Sequence, residues 1–316
     1  MSLATDLPGA AGRGELVPYY QPQIEVASGR IIGAEALCRW QHPELGLVPP
    51  LDFIPLAEEL GTIHEIGDFM IEQGCAFAAS LVADEIEVAV NVSAVQLADP
   101  GFSARVTETY QRHNLRPENL TLEVTESRPV TDLPDALAQL DRLRDLGIGI
   151  SIDDFGSGYS SLKQLDALPF TELKIDQSFI REDTDETWSR VATFVAIARY
   201  RGLRIVAEGI ENQEQLDRVR AVGCDRAQGY YLGMPMPREE FEAFAKANVR
   251  TPLPKLSAAA RRALAAIGVR NVEEVSTWAR AELGALHGVG PSTLAALTAA
   301  LTAVGLDFAA GNAAPS

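Results

Sequence analysis

Between Val17 and Val249, short runs of alternating apolar and polar residues take turns with longer stretches of helical periodicity. The alternating runs predict eight β-strands, with the sequences YYQPQIEV, RIIGAEALCRW, IEVAVNVS, NLTLEVTES, IGISIDDF, ELKID, LRIVAEG and CDRAQGYYLG. Most stretches between them are typical of amphipathic helices. Eight strands alternating with helices over about 230 residues predict an α/β fold, a TIM-like (β/α)8 barrel. A doubly wound open sheet is the alternative, but no GxGxxG or P-loop lysine supports its nucleotide site.

The two faces of the predicted strands differ in polarity. In GISID, Ile148, Ile150 and Ile152 alternate with Gly149, Ser151 and Asp153, so one set faces the barrel interior and the other faces the helices. Six strands carry a polar residue opposite their apolar set and near their carboxyl end: Glu35, Asn91, Glu123, Asp153, Lys174 and Glu208. Each of these alone is typical of a polar residue at a strand exit. Six together indicate a site, because parallel strands of a barrel converge on one mouth.

The chemistry of this set indicates a site for hard cations. Together with Asp154, its acids and amide form a ring of oxygen donors: Glu35, Asn91, Glu123, Asp153, Asp154 and Glu208. Oxygen donors favour Mg²⁺, Mn²⁺ or Ca²⁺ over zinc or copper, and none of the four histidines falls on these strand ends. Five carboxylates exceed the needs of one ion. We therefore expect two metals that activate a water for in-line attack at phosphorus.

Four residues of the predicted site carry further expectations. Asp153 and Asp154 point to opposite faces of a regular strand, so they share one site only if the strand ends between them. Gly156 and Gly158 would permit that turn. Lys174 is either a structural ion-pair partner of the acids or the group that orients the attacking water. Arg39 is either a bidentate phosphate clamp or part of an exposed salt bridge.

Net charge and composition bear on the binding partners and the location that we expect for this protein. The chain of 316 residues carries a net charge of −17, which disfavours nonspecific binding of nucleic acid or anionic membranes. Three cysteines without CxxC spacing indicate a reducing, cytoplasmic location without a disulfide framework. No apolar run is long enough for a transmembrane helix, and no signal peptide is visible at the N-terminus.

The ordered blocks of residues from Asp6 to Phe244 resemble the EAL-domain family of cyclic di-GMP phosphodiesterases. Glu35-Ala36-Leu37 supplies the name, and the other blocks are YYQPQ, NVSAVQL, LEVTES, DDFGSGYSSL, LKIDQSFI, VAEGIE and QGYYLGMPMP. The resemblance implies a barrel with an antiparallel first strand. It also implies hydrolysis of cyclic di-GMP to linear pGpG with Mg²⁺ or Mn²⁺, and a homodimer formed through the barrel. A non-catalytic cyclic di-GMP receptor is the alternative function.

The resemblance also assigns roles to residues of this chain. The ring of oxygen donors matches the family's metal ligands, and the expected catalytic residues are Glu35, Lys174 and Glu208. The expected substrate contacts are Gln21, Leu37, Arg39 and Gln228. Glu126 matches a glutamate that supports the loop after Asp154.

The C-terminal part of the chain differs from the rest. Residues 250–316 contain six Lys/Arg against four Asp/Glu, and a Gly288-Val289-Gly290 turn between two helical runs resembles a helix-hairpin-helix module. The hairpin itself has no lysine or arginine, so protein contact or packing is favoured over DNA binding. The predicted organisation is a lead-in (1–16), the barrel (17–249), a linker (250–256), a small all-α module (257–308) and a disordered tail (309–316).

Overall fold

The computed structural model describes residues 2–81, 85–124, 134–156, 165 and 168–309. The chain divides into two compact units. The first unit is Met1–Ile24 with Ile32–Phe244, and the second is Glu25–Ile31 with Ala245–Ser316.

Across the described part of the chain, nine strands form one sheet that closes on itself. The strands are β1 (Leu16–Glu25), β2 (Ile31–His42), β3 (Gly46–Val48), β4 (Glu87–Val92), β5 (Leu120–Val124), β6 (Gly149–Phe155), β7 (Glu172–Ile175), β8 (Arg204–Ala207) and β9 (Arg226–Gln228). Their order is β1-β9-β8-β7-β6-β5-β4-β2-β3, and a further pairing of β1 with β2 completes a ring of eight strands. This closed ring confirms the predicted barrel and excludes the open sheet.

The strand directions aim the carboxyl ends of seven strands at one mouth. From β2 through β4 and on to β9, each neighbouring pair in the ring is parallel. Only five residues join β1 to β2, which is too short for the crossover that parallel strands need, so these two strands are antiparallel.

The helices of the described residues are α1 (Leu3–Asp6), α2 (Pro50–Leu60), α3 (Ile63–Ser80), α4 (Ala94–Leu97), α5 (Phe102–Arg112), α6 (Pro134–Asp145), α7 (Gln177–Glu182), α8 (Asp185–Tyr200), α9 (Gln213–Val222), α10 (Arg238–Ala247), α11 (Ala258–Ala266), α12 (Val272–Val275), α13 (Arg280–Gly284) and α14 (Pro291–Ala303). A 3₁₀ helix covers Pro117–Asn119. None of these described helices combines the length and the apolar character needed to cross a bilayer.

The apolar residues of the strands face the surrounding helices. Val88 and Val90 on β4 are fully buried, and α3 packs closely over them at Gly74. A methyl group added at Gly74 would lie 2.6 Å from Val90 Cγ2. The hydrophobic core thus lies between the strands and the surrounding helices. The polar side chains, which alternate with the apolar ones along each strand, face the barrel interior.

Two details of the sheet differ from the predicted strands. The short strand β3 was not predicted; it pairs antiparallel with the end of β2 through Trp40 and Val48. The last strand, β9, is much shorter than the predicted CDRAQGYYLG, because the chain turns at Gly229. The Gly229 Cα lies so close to Ile210 that an added methyl group would be 2.2 Å from Ile210 N.

The second unit contains the helices α11 to α14. They enclose a cluster of buried apolar residues: Leu264, Val269, Val272, Val275, Leu283, Val289, Leu297 and Leu301. The helix-hairpin-helix interpretation, and the predicted boundaries at residues 250 and 256, stay predictions.

Gly156 closes the turn after β6, and replacing it with alanine should destabilise the protein. Its φ is +101°, and an added methyl group would lie 2.6 Å from Phe179 Cε2. The left-handed backbone costs about 1–2 kcal/mol for alanine, and overpacking adds about 1–3 kcal/mol. Urea denaturation measures the sum.

Gly61→Ala is the matched control for this substitution. Gly61 has a φ of +73° but open space around its Cα, so G61A should show the backbone cost alone. Equal losses of unfolding free energy in G61A and G156A would contradict the packing argument.

Candidate active site

The mouth of the barrel collects the polar side chains that the strand pattern singled out. Glu35 lies on β2, Asn91 on β4, Glu123 on β5, Asp153 on β6 and Lys174 on β7, and Glu208 directly follows β8. Parallel register places Asn91 beside Glu123. The structure therefore brings all six predicted residues together, as the shared parity required.

Lys174 is the centre of this cluster and is 1% exposed. Its Nζ lies 2.6 Å from Glu123 Oε2, 2.8 Å from Glu208 Oε1, 3.1 Å from Asp153 Oδ1 and 3.4 Å from Glu35 Oε2. Burial opposes its charge, but the surrounding carboxylates, Asp153 and Glu123 foremost, raise the pKa of Lys174 well above its usual value. Lys174 is therefore a cation that holds four acids together.

Glu35 is held on both of its oxygens. Asn91 Nδ2 donates to Oε1 at 2.7 Å, and Gln228 Nε2 donates to Oε2 at 2.6 Å. Burial favours its neutral form, but Lys174 and these two amides together lower the pKa of Glu35. Glu35 is thus a fixed carboxylate aimed into the mouth.

The other acids cannot all stay charged around one lysine. Burial, followed by the charge of Glu35, raises the pKa of Glu123 well above its usual value. Burial raises the pKa of Glu208 to about 8, with Lys174 opposing the rise. Burial and the charge of Asp153 raise the pKa of Asp154 to about 7. Without a further cation, the cluster therefore retains protons that a metal ion would displace.

Asp153 and Asp154 share one site for a reason other than the one expected. The strand does not end between them, because β6 continues to Phe155. Instead, Asp154 has a φ of +53°, and the register of β6 against β7 shifts between Ile152 and Phe155. This bulge breaks the alternation of side chains. One oxygen each from Asp153, Asp154 and Glu208 then lies within 4.8 Å of the others.

The donor set fits a divalent cation that prefers oxygen. Glu123 Oε1 is buried without a hydrogen-bond donor among the described residues. Asp153 Oδ1 is also buried and forms no hydrogen bond there, although it lies 3.1 Å from Lys174 Nζ in an ion pair. Histidine and cysteine do not join the group of Asp153, Asp154 and Glu208. Such donors suit Mg²⁺ or Mn²⁺.

A chain of glutamine side chains supports Glu35 from behind. Gln228 Nε2 also donates to Gln21 Oε1 at 2.9 Å, and Gln23 Nε2 donates to Gln228 Oε1 at 2.9 Å. Gln21 Nε2 in turn donates to Gly233 O at 3.1 Å. Gln21 and Gln228 therefore orient Glu35, besides lining the cavity. The role of Gln23 was not predicted, although it lies two positions from Gln21 and therefore on the same face of β1.

Asp176 is a second residue that the sequence analysis missed. Its Oδ1 accepts from Ser178 N at 3.0 Å and caps α7, and its carboxyl group helps to raise the pKa of Asp154, after burial and the charge of Asp153. The signal for it was present, because Asp176 has the parity of Lys174 in the run ELKID.

A cavity of about 680 Å³ opens above the acidic cluster. Its floor includes Glu35, Asn91, Asp153 and Glu208, and one wall is apolar, with Leu51, Ile54, Ile66 and Met70. The cavity is large enough for a small-molecule ligand.

The predicted substrate contacts Leu37 and Arg39 both line this cavity. Among the described residues, Arg39 has no carboxylate partner for the salt bridge that was its alternative. Its Nη1 donates to Cys38 O at 2.8 Å, and its guanidinium lies over the Tyr19 ring, 5.7 Å from the centroid. The predicted loop support, Glu126, lies outside the described residues.

Comparison with known proteins places these residues in a family. The family model described as the EAL domain matches residues 4–235. The bifunctional diguanylate cyclase/cyclic di-GMP phosphodiesterase MucR of Pseudomonas aeruginosa is 44% identical over 250 residues, which are 77% of this chain and 36% of MucR. The cyclic di-GMP phosphodiesterase RocR of the same organism is 35% identical over 232 residues, 72% of this chain and 59% of RocR. The chain thus spans about a third to three fifths of the length of these relatives.

A solved structure has the same architecture. The structure described as the PaMucR phosphodiesterase in complex with c-di-GMP superimposes with a TM-score of 0.72 and 42% sequence identity. The match covers 76% of this chain and 100% of that one.

Removing the central cation tests the electrostatic account of the cluster. Lys174→Met would leave four buried acids facing one another, and breaking a buried ion pair in this way costs about 3–5 kcal/mol. We expect a matching fall in the free energy of unfolding with a chelator present. Mn²⁺ should recover part of it, since a divalent ion restores positive charge.

Lys246→Met is the control, because Lys246 is exposed on α10. Urea denaturation of both variants, with chelator and with Mn²⁺, gives the comparison. A K174M protein as stable as K246M in chelator would show that the lysine does not hold the acids together.

Proposed function

Because the chain belongs to the EAL-domain family, we propose that it hydrolyses cyclic di-GMP to linear pGpG with Mg²⁺ or Mn²⁺. The observation that carries this proposal is the cluster of four carboxylates, Asn91 and Lys174 on the floor of a ligand-sized cavity. The relatives named as cyclic di-GMP phosphodiesterases support the same substrate.

In the proposed reaction, one water adds across one phosphodiester bond and opens the ring. The products of that step are a terminal phosphate and a free hydroxyl group on the linear dinucleotide. The ligands of the metal would be Glu35, Asn91, Glu123, Asp153, Asp154 and Glu208. Divalent ions, two by the number of carboxylates, would supply positive charge for the phosphate oxygens and lower the pKa of a water.

The chain's own residues have separate tasks in this proposal. Lys174 keeps Glu123, Asp153 and Glu208 within a few ångströms of one another and donates a hydrogen bond towards the attacking water. Against the effect of burial, the charge of Lys174 and the hydrogen bonds from Gln228 and Asn91 lower the pKa of Glu35 and thus favour its carboxylate form.

The walls of the cavity bind the rest of the substrate in this proposal. Gln21, Leu37, Arg39 and Gln228 line the cavity, and Arg39 offers positive charge for the phosphate that is not cleaved. Exposed Tyr230 lies at the same cavity, where its ring can cover a guanine base.

The alternative function, a non-catalytic receptor, is not favoured. A receptor needs the cavity but not a complete set of acids, and here all six proposed ligands are present. Keeping buried like charges together opposes folding, so their presence is better explained by a reaction that uses them.

For the second unit, we propose a protein-binding role ahead of DNA binding. Leu283–Leu301 contains no lysine or arginine, and hairpins that bind DNA neutralise phosphates with cations. Gly288 packs against α11, where an added methyl group would meet Ala259 at 3.2 Å. The homodimer stays a prediction.

Turnover of cyclic di-GMP tests the proposed function. The wild-type chain, incubated with cyclic di-GMP and Mg²⁺ or Mn²⁺, should form pGpG that chromatography separates from the substrate. Glu35→Gln removes a charge while keeping the side-chain shape, and should lower turnover roughly 100-fold or more.

Glu44→Gln is the matched control, since Glu44 is an exposed carboxylate after β2; it should retain wild-type turnover. Binding of cyclic di-GMP without pGpG formation, across both metals and several protein concentrations, would favour the receptor instead. Full activity in E35Q would remove Glu35 from the catalytic set.

A further inference from the structure

Ser151 is a buried polar residue that the proposed reaction does not use. It lies in the middle of β6 and is fully buried, at 0% exposure. Its Oγ has no hydrogen-bond partner among the described residues. A buried hydroxyl without a partner opposes folding, so its presence in the barrel interior requires an explanation.

The sheet register identifies the neighbours of Ser151. It pairs with Glu123 on β5 and with Glu172 on β7. Paired residues of adjacent parallel strands point to the same face, and the strands are about 4.8 Å apart. Ser151 therefore lies in the barrel interior between two carboxylates, one layer below Asp153.

Of these two carboxylates, Glu123 is the one with an oxygen that lacks both a hydrogen-bond donor and an ion-pair partner. Its Oε2 accepts from Lys174 Nζ at 2.6 Å, but its Oε1 is buried without a donor. Glu172 Oε2 also lacks a hydrogen bond, yet it is 3.2 Å from Arg204 Nε in an ion pair. Among the residues that the structure describes, the interior thus contains an unpaired donor, Ser151 Oγ, on a strand next to that of an unpaired acceptor, Glu123 Oε1.

We propose that Ser151 is a positioning residue for Glu123. Its hydroxyl donates a hydrogen bond to one buried water, which in turn donates to Glu123 Oε1. Lys174 on Oε2 and Ser151, through this water, on Oε1 then fix both ends of the carboxylate and set the plane in which it faces the mouth. The inference rests on the proposed function, in which Glu123 is a metal ligand.

The hydrogen bond and metal ligation do not compete for the same electrons. A carboxylate oxygen has two lone pairs, so Oε1 can accept from this water and still bind an ion. Outer groups that orient ligands in this way typically change metal affinity or activity 10–100-fold when removed. Ser151 is thus expected to act on metal binding without contacting the substrate.

Metal affinity of the full chain tests the proposal without requiring turnover. Free Mn²⁺ is measured by electron paramagnetic resonance during titration of wild type, Ser151→Ala and Ser151→Thr. S151A removes the hydroxyl with almost no change in volume, and we expect its Mn²⁺ dissociation constant to rise about tenfold. S151T keeps a hydroxyl, and its dissociation constant should stay within about threefold of wild type.

Ser103→Ala is the control for the loss of any buried serine, because Ser103 is buried on α5, outside the barrel interior. It should bind Mn²⁺ as wild type does. Thermal denaturation of each variant confirms that it is folded before the titration. If S151T unfolds, Ser151→Cys takes its place as a weak donor with an intermediate affinity.

The outcomes separate this inference from the proposed function. Equal Mn²⁺ affinity in wild type and S151A overturns the inference while leaving the metal site intact. If S103A binds Mn²⁺ as weakly as S151A does, the inference is also overturned. A wild-type chain that binds no Mn²⁺ defeats the proposed metal site and, with it, the inference.

Discussion

One buried ammonium group among four carboxylates is the interaction on which the mouth of this barrel depends. Lys174 Nζ lies within 3.4 Å of all four acids, and no apolar packing could keep them so close without a cation. Because charged side chains occupy the barrel interior at its mouth, the hydrophobic core has to lie elsewhere. It lies between the strands and the helices, where Gly74 lets α3 approach Val90 closely. The apolar core between the strands and the helices stabilises the fold, and Lys174 offsets the repulsion among the buried carboxylates.

Strand alternation accounts for what the sequence predicted well. Runs such as GISID and LTLEVT have one apolar parity and one polar parity, so the side of each strand that carries Asp153 or Glu123 followed from the residues alone. The closed ring followed from the number of strands and from the resemblance. The placement of Lys174 among the acids followed from the same parity, although its distances did not.

The parts that the sequence did not predict depend on geometry that no local pattern encodes. Asp154 adopts a positive φ that glycine would adopt more easily, so the expected break in the strand is a bulge instead. The glutamine chain forms only when β1 and β9 become neighbours, and these strands are some 200 residues apart. Strand β3 is three residues long, too short for alternation to reveal. The family match to residues 4–235 ends before residues 245–316 of the second unit, and the role proposed for these residues rests on their own composition.

The hydrogen bond from Gln228 to Glu35 has a consequence for the order in which the barrel is built. Its two residues are 193 positions apart, and Gln228 ends the last strand to leave the ribosome. During synthesis, a nascent chain can form β2 to β8 while Glu35 still lacks one of its two amide donors. Contacts of such long sequence separation form late, since a large loop must close first. The carboxylate of Glu35 therefore gains its second amide donor only when the ring is complete.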